Sequence, residues 1–395
     1  MTSLLILVIV AFLGIAIWQL TKIFDLTQNI SGNQSCDSEL ATDRDNNIQG
    51  YLLFGFLAFI YVLTIFCIVK YGHMPLLDNS ASEHGKEVDN LMWISLGLIF
   101  FVQFLTQFLL HYFAFAGRGR KDRKALYFSD NEKLEMIWTI IPVIVLSGLI
   151  LYGLFTWNAI MNVDEDEDVL YVEVYAKQFG WDIRYAGKDN TLGKANVRFI
   201  KGVNVTGADM SDPNSLDDIM ATELRLPVGK KVVMRMRSQD VLHSAYFPHF
   251  RAQMNCVPGM VTQFAMTPSV TTSDMRETEE IINRVSRINK VRSERSAELV
   301  AKGEEALAPY VFDYVLLCNK ICGRSHYNMQ MKVVVETEAE FNKWIAAQKT
   351  LGQLVADEKA AAEAPAVEKV VAPEQNTQEL ETVVDTTAVV AQVIK

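Results

Sequence analysis

The sequence predicts an α+β membrane protein in which N-terminal transmembrane helices lead into an antiparallel β-sandwich or barrel. Three observations predict it. The apolar residues gather in four stretches before residue 160. After that point the pattern changes to short alternating segments rich in Val and Tyr. Half of the 395 residues are hydrophobic and the mean hydropathy is +0.12, although the C-terminal region is polar, so the apolar excess is local.

The four stretches are Leu4–Leu20, Tyr51–Val69, Leu91–Phe115 and Ile137–Trp157. Each approaches the roughly 20 residues that a helix needs to cross the hydrocarbon core, with aromatic residues near its ends. The first two belong to an N-terminal extension, residues 1–90, with transmembrane helices at about 4–20 and 51–69. The last two form a helical hairpin over 91–158. The first stretch has no basic n-region or A-x-A site, which disfavours a cleaved signal. Between the third and fourth stretches, Arg118, Arg120, Lys121, Arg123, Lys124 and Lys133 form the densest basic loop of this half. The positive-inside rule assigns that loop to the cytoplasm. Residues 21–50 are then cytoplasmic as well, and residues 71–90 and everything after Trp157 lie outside.

An acidic run, Asp164 to Asp168, reads as a solvated linker. Strands follow in "DVLYVEVYAKQFGWDIRY", "ELRLPVGKKVVMRMRS", "MVTQFAMTP", "YVFDYVLLC" and "MQMKVVVET", by alternation and β-branched content. They make up a domain over 159–345 with two interruptions. Residues 187–222 are a Gly/Asn/Asp-rich excursion. Residues 274–308 are a charged helical insertion in which Ile281, Ile282, Val285, Ile288 and Val291 form a narrow stripe that fits a surface helix packed on the domain. Residues 346–395, rich in Ala, Glu, Val and Gln, read as a disordered tail.

Net charge is −10, and no Lys/Arg block suggests a nucleic-acid partner. There is no dinucleotide fingerprint, P-loop or c-type haem motif. Of the five cysteines, Cys36, Cys67, Cys256, Cys318 and Cys322, only the last two are closely spaced, as in a metal or redox site rather than a disulfide framework. The segment "CNKICGRSHYNM" presents Cys318, Cys322, His326 and Met329 on one loop, and "DVLHSAYF" supplies His243. Thiolate, thioether and imidazole together favour copper. Two Cys and two His also satisfy a structural zinc site, but zinc has no use for Met329. A mononuclear blue-copper site needs one Cys, whereas two on one loop allow both thiolates to bridge a metal pair.

These motifs resemble subunit II of bacterial-type haem-copper cytochrome c oxidases, over about residues 90–270 and 309–345. The resemblance implies a two-helix anchor and a cupredoxin-like domain on the periplasmic side of the bacterial inner membrane. It implies a dinuclear copper centre, CuA, that takes electrons from cytochrome c or a docked haem c subunit. They pass to the haems of subunit I, where oxygen reduction is coupled to proton translocation. By resemblance His243 and His326 each bind one copper, Cys318 and Cys322 bridge, and Met329 and the carbonyl of Lys320 are weak ligands. The family usually has Glu at the position of Lys320, where it holds an interface magnesium; lysine cannot, so that ion is doubtful here. "KQFGW" stands for the family's aromatic gateway, which makes Phe179, Trp181 and Tyr185 the electron-entry candidates. "LEMIWTIIPVIVL" places Glu135 at a proton-path entrance. His249 is not expected to be a ligand, Cys256 reads as a packed thiol, and Asp240 as a hydrogen-bonding support for the site. The partners implied are subunit I, other oxidase subunits, lipid and a larger respiratory assembly contacted by the extra spans and the 274–308 insertion. Quinol-oxidase subunits lack these ligands, nitrous-oxide reductase needs a propeller domain, and a copper carrier would not need the Glu135 hairpin.

Overall fold

The computed structural model describes residues 2–31, 42–72, 79–124, 126–127, 129–163 and 168–363. Cys36, the centre of the acidic linker and residues 364–395 lie outside them. The chain divides into two compact units, one of residues 1–74 with 97–139, the other of residues 75–96 with 140–395.

Four long helices come first: α1 (Thr2–Ser31), α2 (Asp43–Tyr71), α3 (Gly85–Ala116) and α4 (Glu132–Met161). Among the described residues, α2, α3 and α4 are long and apolar enough to cross a membrane, and α1 contributes the apolar stretch Val10–Phe24. A capping box opens α2, with the Thr42 hydroxyl accepting from Asp45 N–H and the Asp45 carboxylate accepting from Thr42 N–H. In the first unit α1 meets α2 through a reciprocal Gln19–Gln49 amide pair and through Phe12 against Phe59. The start of α2 is bonded to the segment after α3: Arg118 Nε donates to Asn47 Oδ1 at 2.7 Å and Lys121 N–H to Asp43 Oδ1 at 3.0 Å. His111 is buried near Phe56, with its Nδ1 bonded to Gln107 O.

The second unit is a sandwich of two five-stranded sheets. Its strands are β1 (Leu170–Lys177), β2 (Gly180–Tyr185), β3 (Ile219–Ala221), β4 (Leu224–Pro227), β5 (Val232–Ser238), β6 (His243–Phe247), β7 (Ala252–Cys256), β8 (Thr262–Met266), β9 (Tyr314–Cys318) and β10 (Gln330–Glu336). One sheet has the order β3-β2-β1-β5-β8 and the other β4-β10-β9-β6-β7. The pairing is mixed, since β1/β5 and β4/β10 run parallel. Alternation predicts that a strand exists but not its neighbour, and these two pairs join strands distant in sequence. The hairpin β6/β7, not among the strands expected from alternation, places His243 at the start of a strand. Val172, Val174, Ile183, Leu224, Leu226, Met234, Phe247, Leu316 and Val333 fill the core between the sheets.

Five further helices decorate the sandwich: α5 (Pro213–Leu216), α6 (Thr272–Arg276), α7 (Glu279–Ala301), α8 (Glu338–Ala346) and α9 (Leu351–Glu363). The 274–308 insertion is a surface helix as expected. Ile281 is buried, Val285 packs on the core, and Arg292 Nε donates to Ala308 O at 2.9 Å. The 187–222 excursion is pinned by a buried charge cluster. Arg184 donates to Glu173 at 2.7 Å and Asp218 at 2.5 Å, and Arg237 donates to Glu173 at 2.7 Å. Part of the expected tail is helical. Residues 351–363 form α9, because Ala, Glu, Leu and Lys are strong helix formers and Leu351 is buried with its N–H on Asp218 O.

Residues 79–84 and the start of α3, to Asp89, form a strap across the sandwich. Ala81 and Ser82 are fully buried. Ala81 N–H donates to His249 O at 2.7 Å, Ser269 N–H to Ala81 O at 2.8 Å, and Ser82 Oγ to Phe250 O at 2.7 Å. Arg251 grips Asp89 with two nitrogens at 2.8 and 2.9 Å.

Candidate metal centre

The sheet β4-β10-β9-β6-β7 ends in a loop that carries the sulfur residues. Cys318 closes β9 opposite Ala245 of β6, which brings it beside His243. Cys318 N–H donates to Met329 O and Asn319 N–H to Ser244 O, both at 3.0 Å, so the loop leaves and rejoins the sheet at fixed points.

The donor atoms form a series. His243 Nδ1 lies 3.7 Å from Cys318 Sγ, Cys318 Sγ 3.8 Å from Cys322 Sγ, and Cys322 Sγ 3.6 Å from His326 Nδ1. Met329 Sδ sits 3.8 Å from Cys322 Sγ, and the Lys320 carbonyl oxygen 3.2 Å from Cys318 Sγ. Both cysteines are free thiols. His243, Cys318 and Cys322 have ligand atoms all within 4.8 Å of one another, and His326 falls outside that set. One tetrahedral ion needs four convergent donors. Here the two imidazoles flank a thiol pair at its opposite ends, which suits two metal ions sharing both sulfurs. Thiolate bonds of about 2.3 Å let sulfurs at this separation reach the same ion. The soft donor set fits copper.

His243 is buried and its ring is fixed from behind. Nε2–H donates to Asp240 Oδ1 at 2.8 Å, which leaves the Nδ1 lone pair facing the sulfur. Burial would raise the Asp240 pKa, but this bond and the N–H groups of Gln178 and Val241 outweigh it and hold the carboxyl below its usual range. Burial, with the neighbouring Cys318 thiol, pushes Cys322 up to about 11, so a metal ion has to displace its proton. Cys256, opposite His243 on β7, is pushed up to about 12 by burial, as a packed thiol would be.

The other sequence candidates are placed differently. Trp181, 5% exposed, meets the His243 ring edge-on at 6.4 Å. Phe179 is 40% exposed and packs over Gly323, where a Cβ would lie 2.9 Å from Phe179 Cζ. Tyr185 does not belong to an entry surface. It is fully buried, its OH donates to Arg225 O and accepts from Arg225 N–H, and it packs on Trp344 of α8. It occupies the far end of β2, four residues from Trp181, and strand alternation alone does not reveal which end meets the loop. His249 packs on Phe312 and Tyr314. Glu135 lies in the first turn of α4, in the other unit, where a carboxylate suits the helix N-terminus. The sequence reading missed Gly323, whose φ of +143° excludes other residues; its only signal was the glycine directly after Cys322.

Residues 69–155 match the transmembrane domain of cytochrome c oxidase subunit II. The alternative cytochrome c oxidase subunit 2 of Bradyrhizobium diazoefficiens is 31% identical over 269 residues, 68% of this chain and 82% of that protein. The chain belongs to the cytochrome c oxidase subunit II family. Cytochrome c oxidase subunit 2 of Thermostichus vulcanus is 21% identical, over 72% of this chain and 81% of that one. Among solved structures, the periplasmic domain of subunit II of a Bradyrhizobium japonicum cytochrome oxidase is 15% identical, over 50% of this chain and 99% of that one, with a TM-score of 0.26. As a subunit II, the protein is part of an oxidoreductase of the haem-copper type.

Proposed function

We propose that this subunit II is the electron-entry subunit of a membrane terminal oxidase. Its outer domain holds CuA, takes electrons from cytochrome c or a docked haem c subunit, and passes them to the haem of subunit I. The observation that carries this reading is the imidazole–thiol–thiol–imidazole series, with Met329 and the Lys320 carbonyl beside it. His243 and His326 would each hold one copper, Cys318 and Cys322 would serve both, and Met329 and Lys320 O would be the weak ligands. The bound pair supplies a one-electron carrier whose charge change is shared between two ions. Around it, Asp240 keeps the His243 ring in the binding tautomer, and the sheet anchors the loop at Cys318 and Asn319. Trp181 and Phe179 provide aromatic contact from His243 toward the surface. Ile321 at 86% and Tyr327 at 68% exposure offer an apolar face on the ligand loop, suited to subunit I.

The contacts support the topology expected from loop charge. The strap touches the sandwich, so α3 begins on the side of the β-domain, and the basic loop follows its other end. Residues 42–47 bond to that basic loop, which supports the same side for the α1–α2 connection. This reading places the β-domain on the periplasmic side of the bacterial inner membrane. Glu135 then stands near the cytoplasmic surface, as a proton-path entrance requires.

The purified oxidase tests the centre. The expected result is a mixed-valence copper-pair spectrum, with hyperfine splitting shared over two nuclei, that Cys322→Ser abolishes. Zinc in this site in place of copper, with no copper-pair signal beside the haem spectrum, would overturn the reading. For Lys320 we expect its ammonium to stand where relatives hold a cation. Elemental analysis should then find no stoichiometric magnesium or manganese at the interface with subunit I, and finding one there would remove this idea.

A further inference from the structure

Gln178 lies on the β1–β2 turn, outside the ligand set, yet it reaches both halves of the centre. Its backbone N–H donates to Asp240 Oδ2 at 2.7 Å, and Asp240 Oδ1 accepts from His243 Nε2 at 2.8 Å. Its side-chain Nε2 donates to Cys322 O at 2.5 Å. The approach is built from the other side too. Gly323 has φ +143°, and a Cβ there would meet Gln178 Nε2 at 2.8 Å. The loop is tied to β6 through Asn319 N–H and Ser244 O, but Lys320–Gly323 belong to no strand, and Ile321 within them faces solvent. A carbonyl next to a metal-binding thiol is therefore held by one side-chain amide.

We propose that Gln178 is a positioning residue that clamps the Cys322 half of the ligand loop to the Asp240–His243 half, and so sets the reduction potential of the loaded centre. This rests on the CuA reading above. The physical reason is the small tolerance of a bridged site. The two thiol sulfurs sit 3.8 Å apart; backbone bonds to the sheet hold the Cys318 end of the loop, while those beyond Gly323 are local turns, so releasing Cys322 O frees one sulfur to shift relative to the other. An amide N–H aimed at this carbonyl also places positive dipole beside the thiolate, which favours the more negatively charged, reduced form.

The test uses the assembled oxidase with Gln178→Leu and Gln178→Glu. Both keep the backbone N–H to Asp240 and lose the amide donor; the second keeps the shape. The expected result is full copper content with altered hyperfine splitting and absorption. The equilibrium constant for reduction by a fixed donor should fall by about two- to tenfold, the scale of one hydrogen bond. Gln178→Asn, which keeps an amide on a shorter stem, should fall between these variants and the parent. Unchanged spectrum and equilibrium constant in both variants would overturn the proposal. So would lower copper content with an unchanged constant in the loaded fraction, because that outcome describes a purely structural residue. If the parent complex shows no copper-pair spectrum, the CuA reading fails before any variant is compared, so the two failures are distinguishable.

Discussion

At the scale of single residues, the centre depends on atoms that bind nothing themselves. Asp240 accepts from His243 on the side away from the sulfur, and without it the imidazole can rotate or change tautomer. Asp240→Asn is expected to lower copper affinity by about 10- to 100-fold, the usual effect of losing a supporting carboxylate. Competitive copper titration of the purified complex measures this, and an unaltered affinity would remove the orienting role. The chemistry of the ligands was legible in sequence, because Cys, His and Met at these spacings have few other uses. What escaped was direction. Tyr185 and Trp181 share one strand, but only Trp181 lies at the end beside His243, while Tyr185 is consumed by α8. Composition cannot separate two aromatics on the same strand.

At the scale of elements, the buried charges around Arg184 hold the 187–222 excursion to β1 and β2. The guanidinium serves Glu173 and Asp218 at once. Burial pushes Asp218 up to about 6, against the pull of Arg184. Removing one partner of a buried pair leaves an uncompensated charge, so Arg184→Leu is expected to destabilise the domain by about 3–5 kcal/mol. The pH dependence has a definite sign. A carboxyl whose folded pKa is raised binds a proton more readily folded than unfolded, so its contribution to stability is greatest at low pH and declines as pH rises from 3.8 to about 6. In the variant the stranded carboxylate makes that decline steeper. The difference in melting temperature between parent and variant should therefore be smaller at pH 5 than at pH 8. An equal difference at both would show that Asp218 is not the charge left behind. Strands β1, β2, β4, β5, β8, β9 and β10 were legible from alternation, whereas β3 lies inside the expected 187–222 excursion. The parallel pairings were not, since β1/β5 and β4/β10 join segments that no local pattern links. The β6/β7 hairpin was hidden because Pro248 and Arg251, the latter at φ +52°, make its connection look like an irregular loop.

For the whole molecule, the question is which parts share a side of the membrane. The bonds from Asn46, Asn47 and Asp43 to the residues after α3 tie the α1–α2 connection to the basic loop. A cysteine placed by Lys121→Cys should react with a membrane-impermeant thiol reagent only in inverted vesicles. One placed by Lys302→Cys, after α7, should react only in right-side-out ones. Labelling of both sites from the same side would refute the hairpin topology.

The strap has a consequence for how the protein is made. Residues 79–89 complete the base of a sandwich whose first strand begins at Leu170, and α3 and α4 lie between them in the chain. The ribosome therefore delivers one face of the domain two helices ahead of the rest. On the proposed topology the α2–α3 connection waits, already exported, as a template onto which the later strands close. Biogenesis is thus an ordered event in which membrane insertion of α3 and α4 precedes closure of the sandwich. A truncation that begins after Asp89 would produce a chain able to insert but lacking the surface on which His249, Phe250 and Arg251 are meant to settle.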